Sequence, residues 1–265
     1  MHLALITGGS SGIGFAMAKE LARKKKNLLL VSNQEKELQQ CKQTLEKNFN
    51  VQCFTLYKDL TEQNAAQDIF DYCKQHKFEI DILINNAGML VFSEVVSTGI
   101  KRVNAILQLH IYTPTMLCRL FGEEMKHKRR GLILNVSSVS AVMPYPGISL
   151  YGPTKTYMRY FTRAFRSEMK IYNVTVTCLI PGATITALYD PNKINLQLAK
   201  KLGIMKEAES VAKSAVSALY KNKAKIIPGT LNKLTIWFMP LIPSWVIYQI
   251  HKRTSLIKKG HEALD

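Results

Sequence analysis

Short apolar runs alternate along the chain with longer stretches in which apolar residues recur every three or four positions. The runs fall at residues 3–6, 28–32, 51–56, 80–84, 131–136 and 174–179. They show little polar alternation within themselves, the pattern of strands covered on both faces. Between them, residues 12–23, 35–47, 61–76, 100–126 and 150–171 carry the helical period. Regular strand–helix alternation predicts an α/β fold, a doubly wound and mostly parallel sheet with helices on both faces. No repeat, linker or low-complexity segment interrupts this order. Residues 1–230 are therefore expected to form one domain.

Residues 231–265 break the pattern and are expected to be an extension, not an independent domain. The segment 231–250 is strongly apolar, yet Lys233, Pro240 and Pro243 interrupt it. A membrane span needs about 20 continuous apolar residues, so this is a poor one. Two readings stay open: a cover packed over a substrate pocket, or a segment lying in a membrane interface. The basic residues His251, Lys252, Arg253, Lys258 and Lys259 suit anionic headgroups in the second reading.

Charge enlarges the list of partners. The formal net charge is +17 over 265 residues, which points to nucleic acid, an anionic membrane surface or a phosphate-bearing cofactor. No nucleic-acid-binding motif is present, and no specific nucleic-acid partner is expected. The five cysteines are scattered without CxxC spacing, so neither a zinc site nor a disulfide framework is expected. A reducing, cytoplasmic setting follows, with peripheral contact at a membrane surface left open by the tail. The first apolar run is too short for the core of a secretory signal.

The chemistry gathers where the predicted strands end. Gly8, Ser10, Ser11, Gly12, Ile13 and Gly14 link the first strand to the first helix. Glycines there permit a tight turn and a close approach of backbone to ligand, and a helix start attracts anions. The spacing is GxxxGxG, not GxGxxG, and alone it is weak evidence. Asp59 and Leu60 follow the third strand, Asn85 through Gly88 the fourth, and Ser138 the fifth. Tyr151 and Lys155 open the next helix, and Pro181-Gly182 follows the sixth strand. Open α/β sheets of the Rossmann type bind ligands at these carboxyl ends.

With these pieces in register, residues 1–190 resemble the short-chain dehydrogenase/reductase family. The resemblance implies a glycine turn at Gly8, Gly12 and Gly14, an adenine-side acid at Asp59, and an NNAG segment at Asn85, Asn86, Ala87 and Gly88. It implies a catalytic serine, tyrosine and lysine at Ser138, Tyr151 and Lys155. It also implies a nicotinamide-facing segment containing Pro181, Gly182, Thr184 and Thr186, and a homodimer or homotetramer through the two long helices. Many members carry an asparagine in the helix before the fifth strand, where this chain has His110. Either His110 takes over that residue's part in a proton relay, or it is a satisfied core histidine.

The residues suit that chemistry on their own terms. A phenol has a pKa of about 10, and a neighbouring ammonium lowers it. Tyr151 can then act as general acid towards a carbonyl or base towards an alcohol. Ser138 would hold the substrate oxygen, and Lys155 the ribose of the cofactor. After the second strand stand Ser32 and Asn33, with no acid before Glu35. NADP(H) is therefore expected over NAD(H). Met143, Tyr145, Leu188, Tyr189, Ile194 and Leu198 are apolar candidates for a substrate pocket.

The expected function is hydride transfer between a nicotinamide cofactor and a carbonyl or secondary alcohol, with a hydrophobic ketone (lipid-like, 3-oxoacyl or steroid-like) as the small-molecule substrate. The alternative is a non-catalytic dinucleotide-binding sensor or scaffold on the same fold.

Overall fold

The computed structural model describes residues 1–185 and 205–253. Seven parallel strands form one sheet: β1 (His2–Thr7), β2 (Asn27–Ser32), β3 (Cys53–Tyr57), β4 (Glu79–Asn85), β5 (Gly131–Val136), β6 (Val174–Leu179) and β9 (Lys225–Ile226). A two-stranded pair, β7 (Thr184–Ile185) with β8 (Lys206–Glu207), stands apart. The spatial order β3-β2-β1-β4-β5-β6-β9 reverses direction between β1 and β4. Such a switch point splays the loops on either side and opens a crevice at the carboxyl ends of the strands.

Helices α1 (Gly12–Arg23), α2 (Glu35–Phe49) and α7 (Ala208–Tyr220) cover one face of the sheet. Met17 and Leu21 of α1 and Val211 and Val216 of α7 meet Ile6, Leu30 and Ile84 there. The other face carries α3 (Ala65–Gln75), α5 (Thr113–Lys128) and α6 (Tyr151–Lys170), where Ile69, Phe121 and Met169 pack on Leu5, Leu83 and Val176. Leu3, Leu5, Leu29 and Val31 point to this second layer, while Ala4, Ile6, Leu28 and Leu30 point to the first. Strands β1 and β2 are thus buried on both sides, which is why their sequences lack alternation.

The sequence pattern does not reveal α7 or the short strands β7, β8 and β9, and it departs from the structure in three further places. The helix expected at residues 61–76 starts at Ala65, because Asp59 ties down the chain ahead of it. The helix expected at residues 100–126 is interrupted. It runs as α4 (Ile100–Leu107), then a π turn (Gln108–Tyr112), then α5. The segment after residue 230 forms α8 (Thr230–Phe238), a 3-10 turn (Met239–Leu241) and α9 (Ser244–Arg253). Its Ile236 is buried with Cys178 and Ile180 and against Val139, Val142 and Ile227. Among the described residues no helix is long and apolar enough to cross a membrane.

Candidate active site

Strand β1 ends in a turn shaped by missing side chains. Gly8 (φ 62°) and Gly12 (φ 52°) adopt left-handed backbone, which a Cβ disfavours. At Gly14 a Cβ would overlap the carbonyl oxygen of Gly8. Ser11, the N-cap of α1, is extended and makes no capping bond with its side chain, so the first N–H groups of the helix lack a side-chain acceptor. Two side chains brace this turn: Thr7, which is not among the expected site residues, and Asn86 of the NNAG segment. Thr7 Oγ1 accepts from the backbone N–H of Asn86 (3.0 Å) and Ala87 (3.1 Å), and Asn86 Nδ2 donates to the carbonyls of Thr7 (3.0 Å) and Gly8 (3.1 Å).

The turn opens into a cleft of about 380 Å³, whose walls include Gly8, Ser10, Ser11, Gly12 and Ile13, with Ser32, Asn33, Asp59, Leu60, Ala87, Gly88, Tyr151, Lys155 and Pro181 further along. Glycines in left-handed backbone, an uncapped helix start and a long cleft at the switch point fit a dinucleotide. At one end, the hydroxyls of Ser10 and Ser32 lie 2.8 Å apart, and Ser10 Oγ donates to Gln34 Oε1 at 2.9 Å. Lys58 and Gln34 line this end too, beyond the residues expected from sequence. Lys58 is bonded to Asp68 and Glu62, which raise its pKa above the ordinary lysine value and keep it charged. Asp59 Oδ1 accepts from Thr61 N–H (2.9 Å) and Thr61 Oγ1 (2.8 Å), which fixes its carboxylate on the wall.

At the other end, α6 begins with Tyr151, and Pro153 occupies its first turn, where a missing N–H costs nothing. Ser137 holds this helix to the sheet: its Oγ donates to Lys155 O (2.7 Å), and its N–H donates to Leu179 O (2.8 Å). Ser138, half-buried, accepts from Ser140 N–H at 3.2 Å and so caps the 3-10 turn Val139–Val142. Lys155 is 6% exposed. Its Nζ donates to Val136 O at 3.3 Å and lies 5.7 Å from the centre of the Tyr151 ring. Burial pulls its pKa down from 10.5 to about 8, since low-dielectric surroundings disfavour the ammonium.

His110 lies in the π turn and is 3% exposed. Its Nε2 accepts from Met89 N–H at 3.0 Å, and its Nδ1 lies 2.9 Å from Thr154 Oγ1. Thr154 Oγ1 already donates to Tyr151 O (2.8 Å), so it accepts from Nδ1–H. The ring is neutral with its proton on Nδ1. Burial first, then the Lys155 charge, holds its pKa well below 6.5. Both nitrogens are therefore engaged, one by a backbone N–H that cannot release its proton. The ring thereby joins the loop after β4 to the start of α6.

Other expected residues fall away from the cleft wall. Asn85 is buried in the sheet, where its Nδ2 donates to Asn135 Oδ1 at 2.8 Å; it borders a void of about 10 Å³ beside His110 and Lys155 and does not line the cleft. Gly14 supports the turn from behind. Gly182 accepts from Thr184 Oγ1 (3.0 Å) and faces Asn232 of α8, whose side chain a Cβ at Gly182 would overlap. Met143 and Tyr145 are half-buried beyond the 3-10 turn. Thr186, Leu188, Tyr189, Ile194 and Leu198 lie outside the described residues.

Residues 2–196 match the family model of the short chain dehydrogenases. The chain belongs to that family. The enzyme is an oxidoreductase of the alcohol–carbonyl couple that uses a nicotinamide cofactor. It is 26% identical over 257 residues to the very-long-chain 3-oxoacyl-CoA reductase of Mus musculus, covering 93% of this chain and 77% of that one. It is 28% identical over 250 residues to the 17-beta-hydroxysteroid dehydrogenase type 3 of Homo sapiens, covering 92% and 76%. Among solved structures, a 7beta-hydroxysteroid dehydrogenase superposes with a TM-score of 0.85 at 20% identity, over 95% of this chain and 96% of that one. A short-chain dehydrogenase from Sphingobium yanoikuyae in complex with NADPH superposes with a TM-score of 0.80 at 24% identity, over 100% and 99%.

Proposed function

We propose that the enzyme is an NADPH-preferring reductase of a hydrophobic, lipid- or steroid-like ketone, with Tyr151 as the general acid. The observation that carries this reading is the buried Lys155 beneath Tyr151 on the wall of the dinucleotide cleft. The bound cofactor supplies the hydride. Tyr151 donates the proton to the carbonyl oxygen, and Ser138, at the end of β5, holds that oxygen in place. Lys155 retains its ammonium below about pH 8 and stabilises the phenolate left behind. His110 is a positioning residue: through Thr154 it fixes the peptide of Tyr151, and through Met89 the loop after β4.

The NADPH preference is supported by Ser10, Ser32, Asn33 and the charged Lys58 at one end of the cleft, where the one carboxylate on the wall among the described residues, Asp59, is engaged by Thr61. A hydrophobic substrate is supported by relatives named for 3-oxoacyl-CoA and hydroxysteroids. Residues 1–230 act in this reading as one catalytic unit bearing residues 231–265 as an extension. A reducing, cytoplasmic setting accords with five buried, unpaired cysteines; the homodimer or homotetramer rests on the family resemblance.

An assay of NADPH and NADH oxidation over ketones, 3-oxoacyl thioesters and steroids tests the proposal. Tyr151→Phe is expected to lower turnover on the order of 10³-fold while leaving the fold and cofactor affinity intact. Full activity in that variant would refute the assigned acid, and equal use of NADH would refute the cofactor preference.

A further inference from the structure

The outer side of the C-terminal extension presents large apolar side chains to solvent. Leu231, Leu234, Trp237, Phe238, Leu241, Trp245 and Tyr248 are all exposed, Trp237 at 74% and Trp245 at 68%. They recur every three or four residues, so within each helix they share a side. The opposite side is the one that packs, through Ile236 and Asn232. A monomeric soluble surface seldom leaves a contiguous apolar stripe of this kind uncovered.

Charge identifies what covers it. From residue 210 to residue 261 the chain has nine lysines and arginines and no aspartate or glutamate. Lys233 and Lys252 are exposed along the stripe itself. A second copy of a chain with net charge +17 would bring the same cations face to face. A nucleic-acid backbone would satisfy the lysines but gain nothing from Leu231, Leu234 and Leu241. An anionic bilayer accepts both, with lysines at the headgroups, aliphatic side chains beneath, and tryptophan and tyrosine at the boundary.

We propose that α8 and α9 dock the enzyme on an anionic lipid surface, with Leu231, Leu234, Trp237, Phe238, Leu241, Trp245 and Tyr248 immersed at the level of the headgroups. Because α8 abuts Gly182 and the turn that follows Ser138, docking sets the catalytic end of the cleft beside the bilayer. In that respect the inference rests on the reading of the enzyme as a reductase of hydrophobic ketones. The docking itself does not.

The chain has two tryptophans, Trp237 and Trp245, and both lie in the stripe, so intrinsic fluorescence reports on it directly. Vesicles of phosphatidylglycerol with phosphatidylcholine are expected to shift the emission to the blue and carry the full-length protein down on sedimentation; phosphatidylcholine alone is expected to do neither. Leu234→Ser with Leu241→Ser, and separately Lys233→Glu with Lys252→Glu, are each expected to weaken vesicle binding by about tenfold or more. These exposed positions lie outside the cofactor cleft, and unchanged circular dichroism and NADPH affinity would exclude misfolding. Three results would overturn docking: no binding to anionic vesicles at low salt, binding undiminished in both double variants, or a blue shift without vesicles that tracks self-association. Vesicle binding is read without substrate, so a failed ketone assay leaves it standing and the converse also holds.

Discussion

The two ends of the cleft are built by opposite means. The glycine-turn end works by leaving things out: Gly8 and Gly12 sit in left-handed backbone, Gly14 admits the Gly8 carbonyl, and Thr7 and Asn86 tie the loop down with hydrogen bonds. The Lys155 end works by burying what water would rather keep. An ammonium and an imidazole sit at 6% and 3% exposure, held by Val136 O, Met89 N–H and Thr154 Oγ1. One end stores its function in backbone shape, the other in displaced proton affinities. Substitution should therefore hurt them differently: the first through folding and cofactor affinity, the second through turnover and pH dependence.

Gly14→Ala gives the largest effect expected on stability. The new methyl meets a backbone carbonyl that cannot turn aside, so the turn has to open at a cost of about 3 kcal/mol. Urea denaturation and cofactor titration should both register the loss; wild-type values in each would remove the argument from shape. Lys155→Met should do the reverse to stability while abolishing turnover. In the wild type, the folded-state pKa of about 8 lies below the ordinary 10.5. The cost of burying the charge is then fully present below pH 8 and is relieved as the pH rises towards 10.5. The variant should gain on the order of 2 kcal/mol at neutral pH, and its advantage should shrink above pH 8. A variant less stable than wild type at pH 7 would break the contrast between the two ends.

His110→Gln is the subtlest of these tests. A glutamine amide can accept from Met89 N–H and donate to Thr154 Oγ1, yet it cannot carry a proton through. Turnover within about threefold of wild type, with the pH profile kept, is expected for a strut; leaving both partners unmet, as in His110→Ala, should cost about 1–3 kcal/mol. Loss of activity in the glutamine variant, against retained folding, would restore the relay. Wild-type stability should also fall with acid below pH 6.5, because the unfolded imidazole takes up a proton that the buried one refuses. The glutamine variant should lack that component in thermal melts.

Residues 12–23, 131–136 and 174–179 occupy α1, β5 and β6 to the residue, because local period and turn chemistry agree there. The helical period could not reveal where α3 starts, since Asp59 reaches forward to Thr61 and holds residues ahead of Ala65 out of the helix. Nor could it reveal the π turn at Gln108–Tyr112, where both partners of the imidazole come from distant elements. The same holds for Thr7 and Asn86, polar residues flanking the glycines, whose bracing role depends on β1 and β4 being neighbours across the switch point. Lys58 precedes the legible Asp59 by one residue. A lysine in a chain with 36 lysines and arginines carries no mark of being on a cleft wall.

The close approach of Gly182 to Asn232 has a thermodynamic consequence. The side chain of Asn232 fills the space that a Cβ on Gly182 would take, so a shift of the loop after β6 towards α8 would press on that helix, and a shift of α8 towards the loop would press on the loop. A ligand that shifts the loop would then bias the position of the helix as well. Whatever binds the extension changes the affinity of the cleft by the factor with which the occupied cleft changes its own. The contact that a missing side chain allows is thus the route by which the extension and the cleft would be coupled.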